Sequence, residues 1–264
     1  MVNITLGQYF PGSSVVHRLD PRTKLLLTIA MIVSVFLVKG FVGYAVLFAY
    51  ILYAATTSKI SLKVMAKGIK PIFFIIVLTF ILNVFFAGEG TPLIQWGILR
   101  ITDQGLISAV YMALRLVLLV LGTQLLTLTT SPIALTDGLE SLMKPLSKVG
   151  FPSHELAMMM SIALRFIPTL LEEAQKIMMA QKARGADFES GNLVERAKAM
   201  LPLLVPLFVS AFRRADELAL AMEARCYRGG EHRTRMKVLK FQKIDLYAFF
   251  SMALLITAIV LLPV

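Results

Sequence analysis

Apolar residues in this chain run in long blocks separated by short charged ones. Leu25 to Val38 is uncharged between Lys24 and Lys39, and Phe41 to Thr57 follows almost at once. Pro71 to Ala87, Ile107 to Leu128 and Leu246 to Leu262 complete the set. Blocks that are apolar all round, rather than on one stripe, predict helices in lipid. The first block is shorter than the roughly 17 to 25 residues of a spanning helix, so both flanking lysines are expected to snorkel. The first two blocks form a hairpin turning at Lys39-Gly40, and Pro71 enters the third at its first turn, where a missing N–H costs least.

Between Ser131 and Ile244 the pattern changes. Ser131-Pro132 starts a helix as N-cap and first helical residue, ending near Gly150-Phe151-Pro152. Ser153-His154-Glu155 opens a second, extended to Arg184 and closed by Gly185, and a third runs from about Gly191 to Arg228, closed by Gly229-Gly230. Pro168 predicts a bend in the second, and Pro202 and Pro206 bends in the third. The latter two helices repeat. A shift of forty-one residues places Ala174 on Ala215, Ile177 on Leu218, Ala180 on Ala221, Ala183 on Ala224 and Arg184 on Arg225. The upstream halves, LAMMMSIALRFIPTLL and MLPLLVPLFVSAF, are apolar nearly all round, whereas EEAQKIMMAQKARG and RRADELALAMEARC are amphipathic. Each helix therefore begins in an apolar setting and ends in a wet one. LAMMMSIALRFIPTLL is nearly long enough to span, but Ser161, Arg165 and the Pro168 bend favour an interfacial, cytoplasm-facing helix.

Composition agrees with a membrane protein: 57% hydrophobic residues, 16% charged and a mean hydropathy of +0.76. The first apolar block has a polar, basic leader and no cleavage site behind it, which predicts a retained span rather than a signal peptide. Only Cys226 is available, so a disulfide framework is excluded, and His17, His154 and His232 are too scattered for a metal-ligand spacing. The net charge of +11 gathers beside the apolar blocks rather than among exposed aromatics, as topology demands and nucleic-acid binding does not. Arg18, Arg22, Lys24, Lys59, Lys63, Lys67, Lys70 and the 17 basic residues between Thr130 and Asp245 fall on one side of a five-span topology. Only Lys39 and Arg100 fall on the other. The positive-inside rule then puts the amino terminus and the penultimate segment in the cytoplasm and the carboxyl terminus outside.

The predicted fold is all-α and polytopic, with about five transmembrane helices and long cytoplasmic or interfacial helices between the fourth and last. Residues 1–130 hold spans at about 25–38, 41–57, 71–87 and 107–128; 131–244 hold the repeat; 245–264 hold the final span. Arg115, inside the fourth span, is open to two readings, a structural residue paired by its neighbours or a direct part in transport. Arg184 and Arg225 are also open to two: they cap their helices against the macrodipole, or they offer paired guanidinium forks to a partner with two equivalent sockets. Fourteen methionines, among them Met158, Met159, Met160, Met178 and Met179, form either an adaptable docking surface or ordinary apolar filler. Cys226 is small filler at a packing motif or a redox-sensitive thiol.

Five stretches in this order, HRLDPRTKLL (His17 to Leu26), LTTSP (Leu128 to Pro132), LRFIP (Leu164 to Pro168), ARG (Ala183 to Gly185) and ARCYRGG (Ala224 to Gly230), resemble the transmembrane T component of energy-coupling factor (ECF) transporters, the EcfT/CbiQ family. The resemblance covers nearly the whole chain. It implies that Ala183-Arg184-Gly185 and Ala224-Arg225-Cys226 end coupling helices that dock on a pair of ABC-type ATPase subunits. It implies too that the upstream halves, with Met158, Met159, Met160, Leu164, Phe166, Leu204 and Phe208, cradle a membrane-embedded substrate-binding S component for vitamins or other micronutrients. The implied chain is a mechanical coupler in a prokaryotic cell membrane, non-catalytic, with no cofactor and no nucleic-acid partner. Consistently, the sequence holds no G-x-x-x-x-G-K-[ST] phosphate loop. The competing reading is a conventional ABC permease that binds its own substrate, for which the spans supply Asn83, Arg115 and Gln124 as polar residues. A membrane-embedded enzyme has weaker support still, with no nucleophile-base pair or paired carboxylates in the spans.

Overall fold

The computed structural model describes residues 9–86, 92–96, 99–188, 190, 192–229 and 238–262. His232 and the middle of the basic run, 230–237, lie outside the described residues, as do Ala87 and Gly191 at two expected helix ends. The described chain is helical apart from one hairpin: α1 (Val15–Arg18), α2 (Pro21–Leu37), α3 (Phe41–Ser58), α4 (Leu62–Ile69), α5 (Phe73–Phe86), α6 (Asp103–Thr129), α7 (Pro132–Met143), α8 (Ser153–Ala183), α9 (Leu193–Ala224) and α10 (Lys243–Leu261). Between α5 and α6 lies an antiparallel pair, β1 (Pro92–Trp96) and β2 (Leu99–Thr102), that block-level hydropathy did not anticipate. Its sequence, PLIQWGILRIT, alternates over too few residues to stand out from the apolar blocks around it. Thr102 ends the second strand and caps α6, its Oγ1 accepting the Gly105 N–H at 3.1 Å.

Among the described residues, five helical segments are long and apolar enough to cross a membrane: Phe41–Ser58, Leu62–Phe85, Asp103–Thr129, Ser153–Ala183 and Lys243–Leu261. The all-α polytopic class holds. α2, at 17 residues, is marginally shorter than these, whereas α8, expected to be interfacial, is long and apolar enough to cross as well. Leu62–Phe85 joins α4 and α5 through a 3-10 turn at Lys70–Ile72, so the third apolar block is preceded, on the amino-terminal side of Pro71, by a basic amphipathic helix. α8 and α9 run unbroken through Pro168, Pro202 and Pro206.

The chain divides into two compact units, Met1–Leu142 with Lys237–Val264, and Met143–Met236. The first unit has its core among α2, α3, α6 and α10, built on Val35, Leu47, Ile51, Leu118, Leu128, Met252 and Leu255. Small residues let these helices close. A Cβ on Gly122 of α6 would overlap the terminal atoms of Met31 on α2, a flexible side chain that can shift. A Cβ on Gly138 of α7 would meet the Pro21 carbonyl carbon at 3.2 Å and the Arg22 nitrogen at 3.3 Å, backbone atoms that have nowhere to go. Gly138 also presents its helix face, shared with Ser141 three residues on, to the start of α2.

The second unit is built on α8 and α9. Arg214 Nη2 donates to Glu173 Oε2 at 2.8 Å, and the Ser210 side chain is hydrogen-bonded to the same carboxylate. Glu173 and Arg214 are forty-one residues apart, so the repeat's own equivalent positions meet across the pair. Two acids on α8, Glu172 and Glu173, correspond to two bases on α9, Arg213 and Arg214.

The glycines predict unequal responses. Gly122→Ala gains helix propensity of about 1 kcal/mol and loses a similar amount in moving Met31, leaving stability within about 0.5 kcal/mol of the parent. Gly138→Ala has the same gain but presses on fixed backbone and should lose about 1 kcal/mol net. Thermal unfolding of both variants in one detergent checks the order.

Candidate functional site

Two places concentrate polar chemistry. The first is a buried junction where the chain enters and leaves the first unit's helices. Asp245, third residue of α10, is 1% exposed. Its Oδ1 accepts the Asp20 N–H at 2.8 Å, and its Oδ2 accepts the Gln242 N–H at 2.7 Å, the second bond closing a capping box with the Gln242 side chain. Lys24 lies close enough for its charge to act on Asp245. The Lys24 ammonium donates to the carbonyls of Thr129 at 2.9 Å and His17 at 3.2 Å and is only 6% exposed. The expected snorkelling of Lys24 is thus corrected: carbonyls at the ends of α1 and α6, with a buried carboxylate nearby, replace water as its partners. Lys39 is exposed.

Around this pair the motif HRLDPRTKLL acquires a reason residue by residue. Asp20 caps α2, accepting from the Arg22 N–H at 2.9 Å. Its carboxylate also accepts from Arg22 Nε at 3.1 Å and Nη2 at 3.2 Å. The same guanidinium donates through Nη1 to Ser141 Oγ at 3.2 Å and through Nη2 to the Leu239 carbonyl at 2.9 Å, and its carbon lies 4.4 Å from the centre of the Phe241 ring. His17 is held by Ser14 Oγ at 2.7 Å and the Phe10 carbonyl at 2.9 Å. In LTTSP, Thr129 supplies a carbonyl to Lys24, and Ser131 caps α7 by accepting the Ala134 N–H at 3.3 Å. The acid at the centre, Asp245, was missed in the sequence because it stands 221 positions from Lys24. The spacing Gln242-x-x-Asp245 ahead of an apolar run was its one local signal.

The second place is the pair of ends of α8 and α9. At the first, the Gly185 N–H reaches the Lys182 carbonyl and the Ala186 N–H the Gln181 carbonyl, both at 3.0 Å. At the second, Cys226 N–H reaches Glu223 at 2.8 Å and Tyr227 N–H reaches Met222 at 3.0 Å. These are two copies of one Schellman closure, at positions the repeat makes equivalent. Gly185 has φ +89° and Cys226 φ +56°, so the thiol-bearing residue stands where the left-handed region favours glycine. α9 consequently stops at Ala224 rather than at Arg228. Because main-chain donors already satisfy the last carbonyls, Arg184 and Arg225 are not needed for that task. Both are exposed, and neither makes an ion pair or side-chain hydrogen bond among the described residues. Each follows its helix's member of the Glu173–Arg214 pair by eleven residues, so the tips extend equally, about 16 Å at 1.5 Å per residue. Ala183, Gly185, Ala224 and Cys226 are exposed with them.

Upstream, Met159 is 58% exposed, Phe208 61% and Leu204 40%, whereas Met158, Leu164 and Phe166 are half-buried. Met160, Met178 and Met179 are exposed as well, so these methionines of α8 form surface, unlike Met31, Met65 and Met252 in the core of the first unit. The polar residues of the spans are not brought together. Asn83 donates to the Thr79 carbonyl at 2.8 Å on its own helix, Gln124 to the Val64 carbonyl at 3.3 Å, and the Arg115 guanidinium lies 5.4 Å from the centre of the Phe36 ring.

Such an arrangement, several helices apolar enough to cross a membrane plus a two-helix unit with matched basic tips, defines a polytopic α-helical membrane protein. A family model described as cobalt transport protein matches residues 12–236. The chain is 60% identical over 255 residues to the energy-coupling factor transporter transmembrane protein EcfT of Thermosediminibacter oceani, covering 97% of this chain and 96% of that one. It is 58% identical to the EcfT of Clostridium kluyveri, over 93% and 92% of the two chains, and 49% identical to that of Bacillus subtilis, over 97% and 96%. The chain belongs to the EcfT/CbiQ family, the transmembrane components of ECF transporters.

Asp245→Asn keeps the shape of the junction but sets an amide donor against a backbone N–H and removes the charge beside Lys24. A loss of about 3 kcal/mol is expected. Adding Lys24→Met should recover part of it, whereas equal melting of single and double variants would exclude coupling through charge. Exchanging Glu173 and Arg214 should return most of the stability that either single charge reversal loses, a small effect for a partly exposed pair, as read by thermal unfolding.

Proposed function

We propose that this chain couples a pair of ABC-type ATPase subunits to a membrane-embedded S component, with Arg184 and Arg225 as twin docking points and no substrate or nucleotide site of its own. The observation that carries the reading is the duplicated helix end: two identical closures that leave two exposed guanidinium groups free, equally far from the Glu173–Arg214 contact. Two equal ATPase subunits offer two equal sockets, and a guanidinium fork suits acidic ones. Ala183 and Ala224 let those sockets approach the helix backbone, while Gly185 and Cys226 turn the chain away. Movement of the ATPases on binding and hydrolysing ATP then swings the tips, and α8 and α9 carry it along their length.

The apolar upstream surface, with Met158, Met159, Met160, Leu164, Phe166, Leu204 and Phe208, receives the S component. Thioether side chains adapt to several partners, which suits a module shared among vitamins or other micronutrients. This assignment requires both tips on the cytoplasmic side, with α8 and α9 at the interface, the amino terminus inside and the carboxyl terminus outside.

Arg184→Glu and Arg225→Glu place an anion against an acidic socket. Each should weaken ATPase retention on the purified transporter by about thirtyfold or more and abolish uptake, while leaving the membrane unit folded. Charge reversal on the ATPase should restore part of it. Normal ATPase retention and uptake in both variants would falsify the docking role. An impermeant thiol reagent should reach Cys226 only in inverted vesicles, as it should Arg184→Cys in a Cys226→Ala background.

A further inference from the structure

The first unit holds a cavity of about 250 Å³ between α1, α2, α3, α6 and α10, whose wall is mostly apolar surface with hydroxyls from threonines, tyrosines and Ser251 and the Lys24 amine set in it. At one end lie Lys24, Thr57 and Ile244; at the other, Met31, Tyr50 and Met252. The distance from Lys24 to Met31 is about two helical turns, roughly 10 Å along α2. The cavity thus runs with the helix axes, from the start of α2 at Lys24 toward its middle at Met31. Tyr53 and Tyr247, which also line it, are 65% and 72% exposed, so it is open at the side. Tyr50 and Ser251, whose hydroxyl oxygens lie 3.2 Å apart, satisfy each other on its wall and leave no polar demand there.

Charge distinguishes its two ends. Arg18 adjoins Leu19, Lys59 lies two residues beyond Thr57, and Lys243 adjoins Ile244, so three exposed cations stand within two residues of the lining at the Lys24 end. None of the three is in an ion pair among the described residues. The acids nearest in sequence, Asp20 and Asp245, are buried and occupied by the hydrogen bonds of the junction. The mouth is therefore positive and the interior apolar, the complement of a single amphiphile with an anionic head.

We propose that this cavity is a binding site for an anionic phospholipid of the leaflet on the basic side. One acyl chain lies along α2 between Tyr53 and Tyr247, and the phosphate is held at the mouth by Arg18, Lys59 and Lys243. A transmembrane helix is too wide for a groove of this volume, and an uncharged lipid leaves the three cations without a counter-charge. The bound lipid seals α1 and α10 to α3, beside the Asp245 junction, and links membrane composition to that junction.

Native mass spectrometry of the full-length chain titrated with phosphatidylglycerol or phosphatidylcholine of identical chains tests this. With each cation contributing about fivefold, phosphatidylglycerol should bind about a hundredfold more tightly. Arg18→Gln, Lys59→Gln and Lys243→Gln combined should bring the two lipids within about threefold while thermal unfolding stays unchanged. Ala248→Phe, which fills the cavity, should weaken both lipids alike and preserve their ratio; Ala54→Phe replaces it should that variant not fold. Equal affinities in the parent protein, or an undiminished preference in the triple variant, would overturn the site. So would glycerol phosphate competing as well as the intact lipid, or a photoreactive residue at Tyr53 capturing a protein helix instead of lipid in membranes.

Discussion

A carboxylate taken out of water must find its hydrogen bonds and counter-charge inside the protein, and the way Asp245 does so organises this molecule. Its two oxygens accept main-chain N–H groups from Asp20 and Gln242, residues that precede α2 and α10. Two helices widely separated in sequence are thereby started at one point, with Lys24 between them and the last turn of α6. Arg22 extends the arrangement to Ser141 and Leu239. Loss of any one of these partners leaves another buried group unsatisfied, which makes the junction cooperative.

The same economy governs the second unit in another form. There the repeat places equivalent residues opposite one another at Glu173 and Arg214, and equal lengths of helix lead from that contact to two like tips. Closure of each tip by main-chain bonds frees its arginine. Duplication thus yields two like helix ends from one structural solution, with differences that include Cys226 in place of Gly185 and Glu223 in place of Lys182.

Much of this was legible in the sequence, for identifiable reasons. Blocks of lipid-compatible residues are long and unambiguous, so the helices α3, α6 and α10 lie close to where hydropathy put them. Ser131-Pro132 and Gly185 are local signals with local causes, and they act as read. Family resemblance was carried by motifs whose structural meaning the sequence did not disclose, since HRLDPRTKLL makes sense only beside Asp245. Long-range polar contacts have no periodicity, and the burial of Lys24 followed from them. Cys226 was readable as a tolerated small residue, but its left-handed backbone arises from the closure of the helix end, which a non-glycine residue does not signal. Met159, Met160, Leu204, Phe208 and the tips at Arg184 and Arg225 are exposed, whereas Met158, Leu164 and Phe166 are half-buried, a division that helical periodicity alone did not supply.

Arg22 holds Ser141 and Leu239 with one side chain, and those residues lie just before and just after the segment that forms the second unit. Entry and exit of that segment are thus adjacent, the geometry of an inserted domain rather than of two domains in tandem. A segment attached in this manner can be exchanged between relatives without rethreading the helices that carry it. Evolution could in this way fit new arms to an old membrane body, and an engineer could graft at the same two points.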